Sequence, residues 1–173
     1  MGGVIQGNWR ELDDGDQSRL LGLRKDHWAL LGRIGLGLSK QIVFHGYREK
    51  IQKTVLRTVA ANDADFPDVA IEAYKTLLDL DDVGPATATR LLTLARPDRF
   101  VSLNGGSREG LAKCFDFQHP TALEKPDNYR SLLERIYDQA WFREPAPQDA
   151  LEQEISSMRA ALLDCFVYEA MGA

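Results

Sequence analysis

An all-helical fold is predicted by three features of this 173-residue chain. Apolar residues recur at helical spacing along nearly its whole length, no stretch alternates apolar and polar long enough for a strand, and a tight Val83-Gly84 turn separates two helical patterns. Seven or eight helices in one domain are expected, and the chain is long enough to bury a core without metal or disulfide staples.

The helical patterns follow in order. Trp28, Leu31, Gly35 and Leu38 mark one face, with Asp26 placed to cap it. Ile51, Val55 and Val59 mark a second, while Lys50, Lys53 and Arg57 line another side of the same helix, so that it can be core on one side and phosphate-facing on the other. Asn62 to Pro67 reads as a loop and Val69 to Leu80 as the next helix. Beyond Gly84, Leu91, Leu92 and Leu94 are expected to be buried, and Arg96-Pro97-Asp98 ends that helix. Residues 107–115 form a short helix opened by Ser107, and Tyr129, Leu132, Leu133, Ile136 and Tyr137 make a further one, broken at Trp141 to Pro147. The last helix is expected to bury Ile155, Met158, Leu162 and Cys165.

The turn carries the chemistry. Gly84 is expected to supply backbone angles that other residues resist, and Pro85 can open a helix without its N–H. The turn Val83, Gly84, Pro85, Ala86 and Thr87 would then be the DNA contact, with the free amides of Gly84, Ala86 and Thr87 at the positive end of a helix dipole, a phosphate site indifferent to base sequence. The same pattern of two apolar helices about a Gly turn also builds ordinary bundles.

A net charge of −5 argues against coating nucleic acid over the whole surface. Charge is uneven, however: residues 40–57 and 84–113 together hold ten basic and three acidic residues, including Arg90 and Arg108, whereas 61–82 is strongly acidic. Converging basic segments would give a positive face on a negative protein. Cys114 and Cys165 lack any CxxC spacing and are expected as small core residues; no metal or cofactor site is expected, since His27, His45 and His119 also lack ligand spacing. Without a membrane-length apolar run or a signal-like N-terminus, the expected location is cytoplasmic, with no membrane partner.

From residue 28 to 117 the order of signals resembles the helix-hairpin-helix DNA glycosylase superfamily, which includes endonuclease III and the adenine glycosylases. The matching positions are Gly46-Tyr47 with Lys50, Phe66-Pro67, Leu80, Val83-Gly84 and Thr87-Ala88. The resemblance implies a glycosylase-like core over 28–117, with 1–27 and 118–173 packing as a second helical lobe, and duplex DNA as partner. It also places Asn104 where the family carries a catalytic Asp. Asn is neutral and a poor base, so base excision should be weak or absent. Asp82 stands at the hairpin's usual first Gly, Ala86 at the nucleophilic lysine of bifunctional members, and the four-cysteine cluster of endonuclease III is missing. Trp28, Phe44, Tyr47, Trp141 and Phe142 are candidates for a base pocket.

Three readings stay open. One is a DNA-binding protein that recognises damaged or modified duplex. Another is an active monofunctional glycosylase in which a different carboxylate serves, or whose Asn104 is an engineered change. The last is a helical module that has lost nucleic acid and docks a protein partner through its acidic surfaces. Gly105-Gly106 allows either close backbone approach to DNA or a simple turn.

Overall fold

A computed structural model describes Trp9, Glu11, Asp13 and residues 46–81 and 83–167. The expected faces around Trp28 and Phe44, and the hairpin position Asp82, lie outside the described residues. Among those described there are helices and no strands. In chain order they are α1 (Tyr47–Ala60), α2 (Phe66–Leu78), α3 (Pro85–Ala95), α4 (Ser107–Cys114), a 3₁₀ turn (Pro120–Glu124), α5 (Pro126–Tyr137), α6 (Ala140–Arg143), α7 (Ala150–Ser156) and α8 (Arg159–Val167).

α1 begins at Gly46, whose φ of +94° is the left-handed conformation that favours glycine. Ile51, Val55 and Thr58 form its buried stripe, and the Thr58 hydroxyl donates to the Thr54 carbonyl at 2.9 Å. The Asn62 side chain closes the following loop: its Oδ1 accepts from the Asp65 amide at 2.9 Å and its Nδ2 donates to the Asp65 carboxylate at 2.7 Å. Pro67 falls in the first turn of α2, where its missing N–H costs nothing.

α2 is the central helix, packed against α1, α3 and α5. Ala70, Tyr74 and Leu77 are fully buried along it, and the Tyr74 ring meets Tyr129 of α5 at 4.8 Å. Phe66 lies edge-on to Phe100 at 5.2 Å, under the Arg96 guanidinium at 4.9 Å. α4 packs on the 3₁₀ turn and on α8.

The C-terminal region departs from the expected pattern. The predicted last helix is two helices, α7 and α8, separated at Ser157 and Met158. Its buried residues are Ala160 and Asp164 on α8, whereas Ile155 and Cys165 are exposed. The apolar spacing Ile155-Met158-Leu162-Cys165 runs across the junction and therefore never forms one continuous face. Cys114 is exposed as well, so neither cysteine is a core residue. The expected break at Trp141 contains the single helical turn α6. No helix among the described residues is long and apolar enough to cross a membrane.

Candidate functional site

The hairpin forms where the Val-Gly pair places it. Leu80 and Val83 are buried as its two anchors, and the Val83 amide donates to the Leu80 carbonyl at 3.1 Å. Gly84 has φ −84° and ψ 174°, extended backbone that any residue adopts, and a Cβ there would meet nothing within 4 Å. The expected conformational need for glycine is thus not the reason for it. What the missing side chain does is leave the start of α3 uncovered.

Pro85 opens α3, with no side-chain cap and no acidic residue in the first turn. Gly84 and Ala86 are exposed, Pro85 is half-buried and Thr87 is buried. The Thr89 hydroxyl folds back to accept from the Leu103 amide at 2.9 Å and donate to the Pro85 carbonyl at 2.8 Å, tying the start of α3 to the connection ahead of α4.

The basic residues have separate fates. Lys50 and Lys53 are exposed on α1, beside a groove of about 270 Å³ between α1 and α2 that Thr54 and Arg57 also line. Arg57 pairs with Glu72 at 2.7 Å. The Tyr47 hydroxyl donates to the Asp81 carboxylate at 2.8 Å, which fastens the first turn of α1 to the hairpin.

Residues 84–113 do not supply the free positive charge expected of them. Arg90 is buried, which removes its guanidinium from the accessible surface. Arg96 holds Asp98 through two bonds of 2.8 Å, Arg99 pairs with Asp63 at 2.6 Å, and Arg108 pairs with Glu124. The expected convergence of two basic segments therefore contracts to α1. Of the candidate pocket aromatics, Tyr47 and Phe142 are partly buried against the core and Trp141 is exposed.

Asn104 ends a buried extended connection, Phe100 to Leu103, whose backbone groups are met largely by side chains. Tyr129 donates to the Val101 carbonyl at 2.8 Å and Tyr137 to the Arg99 carbonyl at 2.6 Å. Asn104 itself is buried and fully committed. Its Oδ1 accepts from the Gly106 and Ser107 amides, both at 2.9 Å, and caps the start of α4. Gly105-Gly106 is accordingly a held turn. The Asn104 backbone N–H donates to the Ser107 hydroxyl at 3.2 Å, and that hydroxyl donates to the Ser102 carbonyl at 3.0 Å.

The partner that sequence reasoning missed is Asp164. Asn104 Nδ2 donates to Asp164 Oδ1 at 2.7 Å, across 60 residues of chain. Asp164 is 1% exposed and its Oδ2 has no hydrogen-bond partner. The available signal was an acid standing among the apolar residues of Ala160 to Val167, four residues after Ala160 and so on the same helical face.

Burial pushes the Asp164 carboxyl up to about 6 from an ordinary value of 3.8, against the opposing effect of the neighbouring polar side chains of Ser107 and Asn104. Since the folded value is raised, this group favours the folded state fully below its unfolded value, and that contribution is lost as pH rises through about 6. Asp164→Asn removes the titration. Its advantage in unfolding free energy over the parent should grow by about 2.5 kcal/mol between roughly pH 4 and pH 7, measured by urea unfolding. A constant difference across that range would show that Asp164 does not bear this penalty.

Among the described residues no group of three or more His, Cys, Asp or Glu side chains is placed to hold a metal ion. Comparison with protein-family models, curated proteins and solved structures gives no match to this chain.

Proposed function

We propose that this chain binds duplex DNA through the start of α3 and the exposed basic side of α1, on a glycosylase-like helical fold, with a preference for damaged or abasic duplex and with weak or no base excision. The observation that carries the reading is the N-terminus of α3. It is exposed, it lacks a side-chain cap and an acid in its first turn, and Tyr47 ties Asp81, in the turn ahead of it, to the helix bearing Lys50 and Lys53. Amides at such an end suit phosphate, and two nearby lysines add charge without base specificity. Weak excision follows from Asn104, whose oxygen caps α4 and whose nitrogen is held by Asp164.

Fluorescence anisotropy with intact and abasic-analogue duplexes tests the reading. With Lys50 and Lys53 on phosphates, affinity should fall roughly tenfold between about 50 and 200 mM salt. Ala86→Glu should weaken binding at least about tenfold, while the added N-terminal acid is neutral or favourable for α3 itself. Unchanged binding by that variant, or binding insensitive to salt, would sink the proposal.

A second reading, an active monofunctional glycosylase, is favoured by one observation. A carboxylate with an unpartnered oxygen lies 2.7 Å from the neutral residue at the family's acid position. Base release from a duplex by the parent, abolished in Asp164→Asn with DNA binding retained, would establish it.

A further inference from the structure

The surface formed by α6, α7 and α8 carries apolar side chains that the described residues leave uncovered. α7 buries none of its residues. Leu151 and Ile155, one helical turn apart on the same face, are 66% and 50% exposed, and Phe166 on α8 is 83% exposed. A groove of about 580 Å³ runs beside them, with Leu162 and Leu163 contributing apolar lining and Trp141 at one side. Single exposed apolar residues are ordinary, but several large ones grouped around a groove mark an interaction surface.

The rim of this groove is acidic. Glu144 and Glu152 line it, and Asp149 and Glu154 are exposed on or next to α7. Asp149 caps α7 by accepting from the Leu151 and Glu152 amides at 2.9 and 3.1 Å. The basic lining residue, Arg159, is occupied internally. It donates to the carbonyls of Phe142, Glu144 and Ser156 at 2.5, 3.1 and 2.9 Å and to the Ser156 hydroxyl at 2.5 Å, bracing α6 against α8.

We propose that this groove docks a basic amphipathic helix of a protein partner. Apolar side chains at i, i+3 or i+4, and i+7 enter the groove, and Lys or Arg on the flanks meet Glu144, Glu152 and Glu154. Charge complementarity selects this occupant. A nucleic-acid backbone or an anionic lipid surface is repelled by the rim, and a second copy of the chain in a two-fold pair would set the same acidic rim against itself. The surface uses none of the elements assigned to DNA, so the two proposals stand or fall separately.

The test uses the full chain and a labelled synthetic helix of about 15 residues, with Leu at i, i+3, i+4 and i+7 and Lys on the other faces. Its comparators are a scrambled peptide of the same composition and a peptide with the same Leu stripe flanked by Glu. Saturable binding of the Lys-flanked stripe alone is expected, weakened by salt and reduced at least about tenfold by Ile155→Glu or Phe166→Glu. Both positions are exposed, and circular dichroism checks that the variants keep their fold. Equal binding of either comparator overturns the proposal, as does the absence of saturable binding. A dimer of the parent in sedimentation that Ile155→Glu dissolves would assign the face to a second copy instead.

Discussion

Asn104→Asp is expected to lower the stability of the protein at neutral pH by about 3–5 kcal/mol, a fall in melting temperature of roughly 10 °C. The substitution removes the Nδ2 donor and sets two carboxylates at what is now a 2.7 Å hydrogen bond, inside a buried site where Asp164 Oδ2 already has no partner. Two such groups cannot both ionise in contact. On acidification one of them takes a proton and donates it to the other, so the variant should recover towards the parent as pH falls. Thermal unfolding followed by circular dichroism across pH measures both effects. A variant as stable as the parent at neutral pH would mean that the pair is not coupled. The result bears on function too: the amide and the carboxylate are complementary as they stand, and placing an acid at 104 is expected to disrupt the site before it could serve any chemistry.

Gly110→Ala is the second large effect. A Cβ on Gly110 would lie 2.0 Å from the Val167 carbonyl oxygen and 2.8 Å from the Val167 carbonyl carbon and Cβ. The oxygen and carbon belong to backbone and cannot rotate away, so α8 must move off α4. Alanine favours a helix over glycine by about 1 kcal/mol, and overpacking outweighs that gain, with a net loss of about 2 kcal/mol expected in urea unfolding. Because α8 also carries Asp164, its displacement should break the bond to Asn104. Gly110→Ala and Asp164→Asn should therefore combine non-additively, and the pH dependence traced to Asp164 should shrink in the Gly110 variant. A Gly110→Ala protein more stable than its parent would show that α8 does not sit against α4 as closely as 2.0 Å implies.

The hairpin was legible because its cause is local. Val83-Gly84-Pro85 with flanking apolar repeats specifies a turn and a helix start, and α3 begins at Pro85 as the spacing predicts. Leu91, Leu92 and Leu94 are buried as expected for the same reason, since periodicity is a property of one segment. The fate of a charge is different. Arg90 and Lys53 are both basic residues within helices, yet one is buried and the other exposed. Arg96, Arg99 and Arg108 are drawn into ion pairs, all three with carboxylates from other parts of the chain, so a count of basic residues overstated the available positive surface.

By itself the sequence determined the helical class, the hairpin, and the identity of residue 104, because each depends on a few neighbouring residues and on the backbone preferences they impose. Only the tertiary structure decided what Asn104 does. A carboxamide accepts and donates at once, and whether it faces a ligand or another part of its own chain depends on an element 60 residues away. Packing of α8 on α4 brought Asp164 there. Such long-range juxtapositions arise from the summed burial of many side chains and are encoded in no single stretch of sequence.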